Sequence, residues 1–385
     1  MNMTQTAIQN RITQNGSPYV YASYVNNDQS QGGYVAVIDP TTDKIIKRIS
    51  TGLNPVGMCL SPKEDKLYVL DDRKILFIYS TDTFNILGGT PVGKNPVAVF
   101  AEPTINKVYV ANYDDGTITI VDAITNSLIK TVDLDPGSIF KVHPFAFAFR
   151  FFENSVLIAC KRDDGSDCIF VMDTLTDSYY MVDFPSYPTP LKFDQNHNPL
   201  TVHPNGQTQV TFGLIGYLLE QESGTTNYKS TSLLDNTVSG IYLDNTKLFC
   251  TMRGDRDFLK VFENLVFDMT GDITEEQFFE IPSYKGQDKI RTTPSQKYVG
   301  VTIQPTDYPT GGLQIIDADD YTSRFVPLNI IGDMTMFSDT KAYVGEINGV
   351  RPIDLTNAKA LPPISLGGYY LTLKNIISGY SKQSF

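Results

Sequence analysis

The sequence predicts an all-β chain folded as a β-propeller, a ring of four-stranded blades. Three observations carry this reading. A unit of three alternating strands recurs along the chain, a shorter strand precedes most copies, and no segment has the spacing of a long helix. Four strands in a repeat of roughly 40–45 residues, joined by hairpin-length turns, is the propeller period.

The clearest unit is KVYVANYDDGTITIVDAITNSLIKTVDL, from Lys107 to Leu134. Its three runs alternate apolar and polar residues, as strands with one face on a core do. Asp-Asp-Gly between the first two runs is a hairpin signal, because the turn needs residues that tolerate positive φ. Earlier copies are PYVYASYV with GYVAVIDPTTDKIIKRIS, and KLYVLDDRKILFIYSTDTFNILGGT. Later copies begin at SVLIACKRDDG, KLFCTMRGDRD, KYVGVTIQPTD and KAYVGEINGV. The preceding short strands include NPVGMCLSP, NPVAVFAEP, HPFAFAF, NTVSGIYL and GDMTMFSD. Third strands centre near Val35, Leu76, Ile118, Phe170, Tyr217, Leu259, Gln314 and Arg351. The stretch from Phe184 to Asp235 is the least regular copy. Read as a blade it gives eight blades, the expected count; read as an insertion it leaves seven, the alternative. The unit starting at Tyr19 has no inner strand of its own, and GYYLTLKN follows the last full unit. An open blade edge invites aggregation. The ring is therefore expected to close with N- and C-terminal strands in one blade, the inner one from Tyr369 to Asn375. Residues 1–17 read as a polar N-terminal segment, 18–376 as the single propeller domain and 377–385 as a C-terminal tail.

VGKNPVAVFAEPTINK followed by YVANYDDGTITIVDAITNSLIKTV resembles the YVTN β-propeller repeat, which couples a G-x-x-P-x-x-V strand to a Y-V-x-N strand and an I-D-x-x-T-N turn. VYVAN from Val108, VIDPTTDK from Val37 and IVDAITNS from Ile120 carry the resemblance, which covers the first 135 residues best. It implies the fold and little about chemistry. It also implies a family whose members are often exported to the surface.

Composition bounds the function. The net charge is −12 and the pI near 4.7. Such a surface repels phosphate backbones and anionic lipid heads, so no nucleic acid is expected as a partner. No apolar run is long enough to span a bilayer, so no membrane insertion is expected. The N-terminal MNMTQTAIQNRITQNG has no apolar leader segment. That points to the cytoplasm, with export the alternative if a leader has been removed. Cys59, Cys160, Cys168 and Cys250 match no metal spacing and are expected to be reduced. Cys160 and Cys168 flank one hairpin and could face each other if the register places them opposite. No metal site is signalled, no cofactor is named by any motif, and a monomer is expected.

The repeat also gives a map. The turns between second and third strands, and the segments leading into inner strands, lie on one face, the top. Those turns are VNNDQSQG, DDR at Asp71, YDDG at Tyr113, KRDDGSD at Lys161, RGDRDF at Arg253, PTDYPTG and INGV. Asp71, Asn112 and Glu346 fall at the upper end of second strands, and Arg162 and Asp255 fall in top turns. These five are the candidate ligand-binding residues. His143 begins an inner strand and His197 lies in the segment leading into the least regular blade, both towards the top, whereas His203 falls in a bottom turn. One function is a binding or scaffold propeller that recognises a protein, glycan or small molecule on its top face. The alternative is a lyase, isomerase or hydrolase at the channel mouth. There His143 would be the general acid or base, His197 its partner, and Arg253 or Arg256 an anion clamp.

Overall fold

The structure, a computed structural model, describes residues 17–26, 32–137, 139–150, 153–182, 191–204, 206, 208–221, 226, 228–244, 246–265, 278–305, 311–329, 332–368 and 371–379. It is an all-β propeller of eight antiparallel blades, with no helix among the described residues. All eight expected third strands are present, and the irregular stretch after Phe184 supplies a blade of its own. The VNNDQSQG and PTDYPTG turns, the N-terminal residues before Ser17 and the tail after Gly379 lie largely or wholly outside the described residues.

The chain divides into two compact units. One holds the first blade, the second (55–91), the third (96–133) and the eighth (334–365). In the first blade the strands run, from outside inwards, Lys44–Thr51, Gly33–Asp39, Val20–Asn26 and Leu371–Ser378. The innermost strand is thus C-terminal, antiparallel to Val20–Asn26, with Val20 opposite Ser378 and Asn26 opposite Leu371. The expected closing strand is found here, but it runs past Asn375 to Ser378, so residues 377–378 belong to the blade and not to a tail; Tyr369 and Tyr370 lie outside the described residues. The other unit holds the fourth blade (142–181), the fifth (200–235), the sixth (237–282) and the seventh (287–328).

The core is a set of layers between neighbouring blades. Tyr68, Leu70, Leu76 and Ile78 of the second blade pack with Val108, Val110 and Val121 of the third. In the other unit Phe249, Leu259 and Val261 of the sixth blade pack with Ile290, Val299 and Val301 of the seventh. Each buried large side chain contributes roughly 1.5–3 kcal/mol, so the layers supply the main driving force.

Polar residues at fixed repeat positions set the geometry between the layers. Asp71 Oδ2 accepts the Leu53 and Asn54 amides at 2.9 and 3.0 Å, and Asn112 Oδ1 accepts the Gly93 amide at 2.9 Å. The loop comes so close that a Cβ on Gly52 would lie 2.2 Å from the Asp71 carboxylate, and one on Gly93 would lie 2.6 Å from the Asn112 amide carbon. That contact is why the G-x-x-P segment opens with glycine. At the I-D-x-x-T-N turns an aspartate accepts amides two and three residues on, as Asp122 does from Ile124 and Thr125 at 2.7 and 2.8 Å. The fifth residue then takes positive φ: Asp43 at 54°, Asn126 at 60°, Asp177 at 57°. Asn and Asp tolerate that conformation best after glycine. Finally, a lysine at the start of a second strand reaches the next blade's turn. Lys66 Nζ donates to the Ala123 carbonyl and, at 2.8 Å, to Asn126 Oδ1. Lys341 donates to Pro40 O at 2.8 Å and pairs with Asp43 at 3.0 Å. Lys247 donates to Ala318 O at 2.6 Å.

Candidate functional site

The segment from Leu191 to Asn198 leads into the inner strand Leu200–Val202 of the fifth blade. Its alternation stops after Phe193, it belongs to no strand, and it is rich in side chains that seek local hydrogen bonds. Side chains and backbone from four blades of its unit pin it in place. From the fourth blade, Lys161 Nζ donates to Phe193 O at 2.5 Å and Asp167 Oδ2 accepts the Phe193 amide. Lys161 and Asp167 also pair with each other at 2.8 Å. From the fifth blade, the Leu214 amide donates to Lys192 O at 3.2 Å, and a Cβ on Gly213 would lie 2.0 Å from that carbonyl oxygen. From the sixth blade, Arg253 Nη2 donates to Asp194 Oδ2 at 2.7 Å. From the seventh, Asp288 Oδ1 lies 2.7 Å from His197 Nε2, and Lys289 Nζ donates to Asn196 O at 2.5 Å. The pinning groups come from the strand ends and turns of the top face. We call this segment the cap.

His197 is the centre of the polar chain. Its Nδ1 lies 3.1 Å from Asp194 Oδ2, out of line for a hydrogen bond, while Nε2 meets Asp288. Asp288 is completed by Gln304 at 2.8 Å, with the Lys289 ammonium 3.6 Å away. Burial opposes ionisation of Asp288. The His197 hydrogen bond, the Lys289 charge and the Gln304 amide outweigh it and bring the carboxyl down to about 2. Burial likewise opposes ionisation of Asp194, yet the Asn196 amide, His197 and Arg253 hold it below the usual carboxylate range. Both carboxylates are therefore ionised at neutral pH.

Beside the cap lies an open cleft of about 510 Å³, lined by Lys161, Lys192, Phe193, Asp194, Gln195, Asn196, Leu214 and Arg253. Three cations and one carboxylate line it, on a chain of net charge −12. Its size falls within the usual range for small-molecule sites.

Among the residues singled out in the sequence, the structure brings His197 and Arg253 together through Asp194. His143 holds its own carboxylate, Asp163, at 2.8 Å. Arg256 lies 4.0 Å from Asp235 and stacks over Phe258. Arg162 lies 3.6 Å from Asp164 and over Phe140, and Asp255 lies 3.5 Å from Lys285. Asp71 and Asn112 are fully buried within the loop contacts described above, and Glu346 pairs with Arg351 at 2.7 Å. His203 packs edge-on against Tyr242. Sequence reasoning did not pick out Lys192, Asp194, Gln195, Asn196, Leu214 or Asp288. The available signal was DQNHN, from Asp194 to Asn198, a polar run without strand periodicity shortly before an inner strand.

No protein-family model matches the chain, and no curated protein matches it. Solved structures do. The dihydro-heme d1 dehydrogenase NirN, solved in complex with DHE, superposes with a TM-score of 0.71 at 13% identity, over 94% of this chain and 75% of that one. Apo AztD from Citrobacter koseri superposes with a TM-score of 0.61 at 14% identity, over 95% of this chain and all (100%) of that one. At such identity the likeness shows the propeller fold and carries no chemistry across. Among the described residues no helix is long and apolar enough to cross a membrane.

Proposed function

We propose that the protein is a binding propeller that holds a small molecule in the cleft beside the cap. The observation that carries this reading is the pinning of Leu191–Asn198 by four blades, which fixes the cleft wall before any ligand arrives. A preformed site loses less ordering entropy on binding. Binding is favoured over catalysis because the best acid–base candidate is turned away. His197 meets a carboxylate at each nitrogen and is not among the residues lining the cleft. An acid–base histidine must come within hydrogen-bond reach of the substrate. The Asp-capped turns with positive φ at their fifth residue support placing the repeat in the YVTN class. Four buried, unpaired thiols support a reducing compartment.

Native mass spectrometry tests the reading. The full chain, incubated with a small-molecule extract and desalted, should carry a bound species. A Leu214→Trp variant, which fills the cleft from an exposed position, should not. No adduct on the full chain, or one that persists in the variant, would count against the site.

A further inference from the structure

The cleft also indicates what it selects, an inference that rests on the small-molecule reading above. Its cations differ in how far the fold uses them. Lys161 is committed to Asp167 and to the Phe193 carbonyl. Arg253 commits one amino group to Asp194, and its side chain is 44% exposed. The Lys192 carbonyl accepts the Leu214 amide, but its ammonium makes no hydrogen bond or ion pair among the described residues. Its ammonium sits by the Gly165 turn, where it adds to the lowering of Asp164 that the Ser166 hydroxyl and amide dominate. The single lining carboxylate, Asp194, is already taken up by Arg253, His197 and the Asn196 amide. Among its lining residues the cleft therefore offers two cationic groups with donors to spare, while its one carboxylate is already engaged. Beside them, Leu214 exposes 52% of its surface and gives the cleft an apolar wall.

We infer that the ligand is an organic anion: an oxyanion head group held by Lys192 and Arg253, with an apolar body against Leu214. The net negative charge of the molecule makes this concave positive patch selective, because other acidic surfaces repel the same ligand. Lys192 is the specificity-determining residue, since its charge has no role in holding the cap.

Isothermal titration calorimetry with three probes of one shape tests this. Phenylacetate and phenyl phosphate carry anionic heads, and phenylacetamide is their neutral counterpart. The anions should bind about tenfold or more tightly than the amide, as charge-assisted contacts require. The tighter of the two anions names the head group. Lys192→Ala should weaken anion binding about fivefold, leave the amide and the melting temperature unchanged, and be rescued by Lys192→Arg. Equal binding of the amide and the anions would overturn the charge assignment while leaving a small-molecule cleft. Binding undiminished in Leu214→Trp would overturn the cleft itself. No binding of any probe up to roughly 10 mM would overturn the inference.

Discussion

Glu64 brings a carboxyl into the seam of the first blade. It is 6% exposed, its Oε2 has no hydrogen-bond partner, and a Cβ on Gly379 would lie 2.2 Å from that oxygen. Ser17, which precedes the strand Val20–Asn26, and Gly379, which follows Leu371–Ser378, both face it, with Tyr21 nearby. Burial outweighs the pull of the Ser17 amide and raises the carboxyl from 4.5 to about 8. The folded chain thus binds this proton more tightly than the unfolded chain. The resulting stability is fully present below about pH 4.5 and is lost as the pH rises through about 8. Glu64→Gln keeps the shape and removes the charge. Urea melts should show it more stable than the parent at pH 8.5, by on the order of 2 kcal/mol, and nearly equal at pH 4.5. A parent whose stability does not fall across that window would mean that Glu64 is not buried as described. Asp288 has the opposite sign: its lowered value gives stability that is present above about 3.8 and lost as the pH falls towards 2. The cap anchor and the seam therefore respond to opposite ends of the pH scale.

At the scale of the blade, the second-strand lysines hold neighbours in register. The Lys66 ammonium meets two carbonyls and Asn126 Oδ1 on the next blade's turn and, among the described residues, forms no ion pair with a carboxylate. Lys66→Met keeps the packed stem and strips these charge-assisted bonds. Denaturant melting should show a loss of about 2 kcal/mol, against less than about 0.5 kcal/mol for the exposed Lys63→Met. Equal effects would mean that the layers alone set blade spacing. These devices also explain what the sequence made legible. Asp-Asp-Gly, the I-D-x-x-T-N turns and the alternating runs are local signals, with causes within a few residues of themselves. They marked the strands and favoured eight blades over seven, and they placed Cys160 and Cys168 on one hairpin, where the register sets them directly opposite. The site was only partly legible. Arg253 and His197 were visible as polar groups on the top face. Their union through Asp194 joins positions 59 residues apart, and the contact of His197 with Asp288 joins positions 91 apart. No local pattern encodes such pairings. Asp71 illustrates the converse: it stands where a top-face ligand group would stand, yet its oxygens are filled by the Leu53, Asn54 and Arg73 amides.

Over the whole molecule, one repeated unit is put to two uses. Most copies spend their polar residues on turns and clasps, and the first blade takes its inner strand from the C-terminal segment so that no edge is left open there. The fifth blade keeps the strands but is preceded by a segment that departs from the repeat, and that departure builds the cap. A cleft formed before ligand arrives requires the cap to be a fixed wall rather than a loose loop. Hydrogen–deuterium exchange reads this directly, because the amides of Phe193, Asn196, His197 and Leu214 are all donated within the site. These amides should exchange slowly in the free protein, at rates nearer those of blade strands than of exposed turns, and slow further when phenylacetate or phenyl phosphate is added. Rapid exchange across Leu191–Asn198 in the free protein, or protection by the anion confined to another part of the chain, would contradict the account.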